Sequence, residues 1–135
     1  MIVVLDTSVP VAGLLKPFGS SAAVLRLAVT GKIRLAHDYR ILSEYREVLS
    51  RPAFGFAPAS IAALLAQLEE DGVPVTPPPA SDRLPDPTDA PFWEAAEASR
   101  AEVLITGNKR HFLGIKAGVR VFSPSEFLNH YTMSI

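Results

Sequence analysis

The chain opens with a continuous apolar run, Ile2 to Leu5, that ends abruptly on Asp6, Thr7 and Ser8. Apolar residues without alternation are the pattern of a strand covered on both faces. From Val9 to Leu15 the apolar stretch is longer and more mixed, which predicts a short helix stopped by Lys16-Pro17-Phe18-Gly19. Ser20 or Ser21 is placed to cap a second helix through Thr30, with Val24, Leu25, Leu27 and Ala28 on one face and Gly31 closing it. Ile33–Ala36 reads as a second short strand. Asp38 then caps a helix whose stripe is Ile41, Leu42, Tyr45, Val48 and Leu49, ending near Arg51 because Pro52 follows.

Pro58 and Ser60 start a further helix that Gly72 stops, and Val73–Val75 is a candidate third strand. The Pro-rich stretch from Thr76 to Pro87 is too short to join two domains and reads as a surface loop. Thr88 or Asp89 caps a helix with Pro91 in its first turn, running to about Arg100. Val103–Thr106 is a strand, Gly107-Asn108 a turn, Lys109–Phe112 a short helix, and Val119–Phe122 a last strand before a final helix from Ser123. Strands alternating with helices predict a parallel sheet with helices on both faces. In such sheets function gathers at the carboxyl ends of the strands, where Asp6 and Asn108 both fall.

Composition narrows the field without choosing within it. The 135 residues are expected to form a single domain over 1–135, and 48% hydrophobic with 20% charged residues describes an ordinary globular protein. A net charge of −1 announces no basic field for nucleic acid, although a local patch remains possible. No cysteine is present, which removes disulfides, thiolate nucleophiles and cysteine-ligated metals and fits a reducing compartment. The first apolar run is too short for a signal peptide or a membrane span, so the expectation is a cytoplasmic protein with no membrane partner.

The acids then stand out by position. Asp6 follows the first strand; Asp86 and Asp89 lie at the start of the helix that leads into the strand before Asn108. Glu44 borders Ile41 and Val48 at the edge of a buried stripe, where a carboxylate needs a partner. Each has a plain structural reading: Asp6 and Asp89 as caps, Asp86 in an Asx-turn beside Pro87, Glu44 solvated, Asn108 in a turn. Convergent carboxylates repel unless a cation lies among them, and an all-oxygen set favours Mg²⁺ or Mn²⁺. An aspartyl-phosphate phosphatase of the haloacid dehalogenase type is disfavoured, because its second acid would fall at position 8, which is Ser.

Four segments taken in order, LDTS, SEYREVL, DPTDAPFWEAA and LITGNKRHF, resemble a PIN-domain protein, and more narrowly the toxins of bacterial toxin–antitoxin pairs. The resemblance runs from Ile2 to about Phe122. It implies a PIN-like three-layer α/β/α fold with a mostly parallel central sheet of four to five strands. It also implies a metal-dependent endoribonuclease using Mg²⁺ or Mn²⁺, with Asp6, Glu44 and Asp89 as catalytic acids and Asp86 and Asn108 as further metal ligands. Thr7, Ser8 and Thr106 match the supporting hydroxyls. Asn108 departs from the family, because many members have a fourth aspartate there. By the same resemblance the partners are an RNA substrate, a small antitoxin and a second copy in a homodimer. Lys109, Arg110 and His111, with Lys116 and Arg120 further on, are candidates to grip RNA phosphates. Arg40, Arg46 and Arg51 are candidates for the opposite wall, while His111 otherwise reads as a structural neighbour of Phe112. Phe92 and Trp93 read as core rather than as a base-stacking platform. A module that binds RNA or protein without cutting is the alternative that Asn108 leaves open.

Overall fold

The computed structural model describes residues 1–78, 86–112 and 118–134. Lys116 and the middle of the Pro-rich stretch lie outside them.

The IVVL run forms β1 (Ile2–Leu5), fully buried from Val3 onward. It leads into α1 (Ser8–Leu15) and α2 (Ser20–Val29). Gly19, in extended backbone, occupies the cap position of α2, and no side chain bonds there. Ser20 already begins the helix, so the predicted serine cap is not formed. The second strand, β2, is Arg34–His37, one residue later than its sequence suggests. Its ladder starts where Arg34 N–H donates to Met1 O at 3.0 Å, which leaves Ile33 to plug the core from the preceding turn.

Helix α3 (Tyr39–Leu49) begins as predicted, with the Asp38 carboxylate accepting from Ile41 N–H at 3.0 Å. It is followed by α4 (Pro58–Asp71) and β3 (Val73–Pro74). Gly72 between them is fixed by space: a Cβ there would lie 2.6 Å from Leu35 O, Leu68 O and His37 Cδ2. Two of these atoms are backbone and cannot swing away. Gly72→Ala is therefore expected to cost about 2–3 kcal/mol, read as a lower urea midpoint at unchanged slope.

A 3₁₀ turn (Pro87–Asp89) precedes α5 (Ala90–Ser99), which Arg100 closes in left-handed backbone with φ 54°. Then follow β4 (Val103–Ile105), a 3₁₀ turn (Lys109–Phe112), β5 (Arg120–Phe122) and α6 (Pro124–Ser134). The five strands lie in the order β3-β2-β1-β4-β5, every pair parallel. Helix α5 packs on β1, β2 and β4, while α6 packs on β4 and β5 and against α2. The result is a three-layer α/β/α fold around an all-parallel sheet. Phe92 and Trp93 lie inside the core at 1% and 0% exposure, and the Trp93 Nε1–H has no hydrogen-bond partner among the described residues. Among the described residues no single helix is long and apolar enough to cross a membrane.

Candidate functional site

Strands β1 and β4 pair in register, Leu5 opposite Ile105, so Asp6 and Thr106 leave the same sheet end side by side. Their backbones stay in the ladder to that point: Asp6 N–H donates to Ile105 O and Thr106 N–H to Phe122 O, both at 2.9 Å. Asp6 is 6% exposed and Thr106 fully buried. The Thr106 and Ser8 hydroxyls donate to Asp6 Oδ2 at 2.7 and 2.8 Å. The same hydroxyl oxygens accept from the N–H groups of Asn108 (2.9 Å) and Gly107 (3.0 Å), stitching the two strand ends together. Asp6 is thus a clamped carboxylate rather than a helix cap, with Oδ1 bearing no hydrogen bond among the described residues.

Helix α3 is fastened across the end of β1. The buried Tyr45 hydroxyl donates to Leu5 O, and one residue earlier the Thr7 hydroxyl donates to Glu44 Oε2. Glu44 is half-buried at the stripe's edge, not a solvated surface acid. Burial, then the charges of Asp6 and Glu44, hold the Tyr45 phenol well above its ordinary range.

Of the acids near α5, one follows the sequence expectation and one departs from it. Asp86 forms the expected Asx-turn and caps the 3₁₀ turn, its Oδ1 accepting from Thr88 N–H at 3.0 Å and from the Thr88 hydroxyl at 2.8 Å, while α5 has no side-chain cap from Thr88 or Asp89. Those bonds hold Asp86 below the usual carboxylate range. Asp89 makes no side-chain cap bond and turns inward, 7% exposed. Its Oδ2 lies 3.1 Å from His111 Nδ1, a close approach outside hydrogen-bond geometry, so this buried oxygen has no hydrogen-bond partner among the described residues. Burial first, then the charge of Asp6, with smaller contributions from Asp86 and Glu44, push Asp89 up to about 6 against the opposing pull of His111. Asp6, Glu44 and Asp86 are therefore each within electrostatic reach of Asp89.

That shift has a signed consequence. The folded protein holds a proton on Asp89 between about pH 4 and 6 that the unfolded chain has released, so stability falls as pH rises through about 6. With EDTA present, the melting temperature of wild type relative to Asp89→Asn is expected to drop between pH 4.5 and 7.5. A constant difference would show that Asp89 is not strained.

The cations are largely committed. Lys109 pairs with Glu126 at 2.9 Å, and Arg40 bridges Asp38 (2.8 Å) and the buried Glu94 (2.6 Å). Arg51 pairs with Glu47 at 2.9 Å. Arg110, Arg46 and Arg120 are exposed, the last 3.5 Å from His130 Nδ1. His111 touches Asp89 rather than serving only as a neighbour of Phe112.

Among the described residues no three His, Asp or Glu side chains lie close enough together to hold a metal ion as they stand. The donor chemistry nevertheless suits a hard cation. Among the described residues, Asp6, Glu44 and Asp86 each carry their hydrogen bonds on one oxygen and none on the other, and Asp89 adds a buried oxygen that accepts no hydrogen bond.

A family model described as "PIN domain" matches residues 2–110, a span that takes in Asp6, Glu44, Asp86, Asp89 and Asn108. No curated protein and no solved structure gives a significant match.

Proposed function

The chain belongs to the PIN-domain family, whose members are generally nucleases, and from that premise we propose that it is a divalent-metal-dependent endoribonuclease. It would be the toxin of a toxin–antitoxin pair, active as a homodimer and restrained by a small antitoxin. The observation that carries the hydrolase reading is Asp89: a buried carboxylate pushed to about 6 by burial and by Asp6, with an oxygen that makes no hydrogen bond among the described residues and has only the approach of His111 to offset it. Such an arrangement is costly in a resting protein and is the kind kept at functional sites.

Asp6, Glu44 and Asp89 would hold Mg²⁺ or Mn²⁺, with Asp86 and Asn108 at its margin. The ion, when bound, supplies Lewis-acid stabilisation of phosphoryl charge and activation of water. The chain's own residues prepare for it. Ser8 and Thr106 fix the rotamer of Asp6, Thr7 fixes Glu44, and Tyr45 pins α3 so that Glu44 stays over the end of β1. The exposed Arg110, next in the chain to the His111 that meets Asp89, would serve as a phosphate contact.

A second reading, a module that binds without cutting, is favoured by Asn108, whose amide brings an oxygen but no charge. Single-stranded RNA incubated with the protein in Mn²⁺ or in EDTA separates the two. The expected result is Mn²⁺-dependent internal cleavage that rises roughly tenfold in Asn108→Asp, the size typical of changing one supporting group. No cleavage by wild type and strong cleavage by Asn108→Asp would favour the binding module.

A further inference from the structure

A cavity of about 380 Å³ opens at the carboxyl ends of β2 and β3, its walls including Tyr39, Ser43, Arg46, Leu65, Glu69 and Val75. Helical register puts Tyr39, Ser43 and Arg46 on one flank of α3 and Glu44 on the other, at about 100° per residue. The cavity thus shares the catalytic end of the sheet without sharing its acids. Neighbouring strands stand about 4.8 Å apart, so it lies within roughly 10 Å of β1, and one RNA strand can reach both.

Three of its groups have no structural task. Tyr39 is 83% exposed, an aromatic face with nothing packed on it. The Arg46 guanidinium and the Glu69 carboxylate make no ion pair or side-chain hydrogen bond among the described residues, and the nearby Asp38 is engaged by Arg40, which it shares with Glu94. Leu65 and Val75 supply an apolar floor. An aromatic face stacks a base and a guanidinium takes a phosphate. A carboxylate accepts from two adjacent N–H donors, and guanine, through N1–H and its exocyclic amine, is the base whose pairing edge offers them. Adenine and cytosine would put a ring acceptor against Glu69, and uracil would put carbonyls there.

We infer that this cavity is a guanine subsite for the RNA strand cut at the acids, with Tyr39 stacking the base, Glu69 reading its edge and Arg46 holding its phosphate. This rests on the ribonuclease reading above. The test is fluorescence anisotropy in EDTA with labelled oligouridine carrying a single guanosine, or inosine in its place, so that binding is read without cleavage. Melting temperatures check that Tyr39→Ala, Arg46→Ala and Glu69→Gln are folded, as substitutions at exposed positions should be. Tyr39→Ala is expected to weaken binding on the order of tenfold, the usual loss for one stacked base. Inosine is expected to weaken wild type several-fold yet bind Glu69→Gln as well as guanosine does. If wild type binds RNA and the three variants and inosine make no difference, the subsite is overturned and the cavity is left to a protein partner. If wild type binds RNA neither in EDTA nor with Ca²⁺ in place of Mn²⁺, the ribonuclease reading falls with it.

Discussion

Asp6→Asn is expected to lose Mn²⁺-dependent RNA cleavage by roughly a thousandfold or more, the several kcal/mol that a Lewis acid contributes to phosphoryl transfer. The substitution changes almost no volume. Its amide oxygen can still accept from the Ser8 and Thr106 hydroxyls, which now meet Asp6 Oδ2 at 2.8 and 2.7 Å, so the strand-end stitching survives. The amide nitrogen then takes the place of Oδ1 and presents a donor where an acceptor is required. The fold should not suffer, because a charge that repels the buried Asp89 has gone. Activity should be assayed beside a melting curve: lost cleavage with an unchanged or higher melting temperature is the expected pair. Wild-type cleavage in Asp6→Asn would remove this carboxylate from the chemistry.

Asp89→Asn should produce a loss of at least a hundredfold together with a gain in stability. Asp89 is ionised at pH 7.5 although burial and Asp6 push its carboxyl up to about 6. The charged form is therefore a strain that the neutral amide relieves, by about 1–2 kcal/mol once solvent screening is allowed for. In a domain of this size that amounts to a rise of a few degrees in melting temperature at pH 7.5. Below about pH 4, where the wild-type carboxyl is protonated in both states, the advantage should vanish. A catalytic carboxylate and a structural one differ in this pairing, since removing a structural carboxylate would lower stability.

Much of the frame was legible because local signals and tertiary demands agree. IVVL has no alternation and is covered on both faces; the stripe on α3 is buried at Ile41, Tyr45 and Leu49; Asp38 and Gly72 do what their residue types suggest. Glu44 at the edge of that stripe was the most telling residue, because its register demanded a partner and Thr7 supplies one. The Asx-turn expected at Asp86 is formed, whereas Asp89, expected as a cap, turns inward instead. Proline is preferred at the first helical position, so Asp86-Pro87 already marks Asp86 as the cap and frees Asp89 to turn inward.

Other features had no local signature. The approach of His111 to Asp89 depends on the 3₁₀ turn after β4, and the Arg40–Glu94 pair joins α3 to α5 across the fold. The ion pair to Glu126 that occupies Lys109 belongs to the same class, since charge runs such as Lys109-Arg110-His111 do not show which member is already paired. The flank of α3 carrying Tyr39 and Arg46 becomes fully informative only when α4 brings Glu69 beside it.

The central claim is that Asp6, Glu44 and Asp89 form a cation-dependent site. Calorimetric titration of Mn²⁺ into the folded wild-type protein at pH 7.5, with Asp6→Asn and Asp89→Asn alongside, tests it most directly. Saturable binding by wild type that both substitutions abolish is the expected result. No binding by wild type, or equal binding by all three proteins, would contradict it.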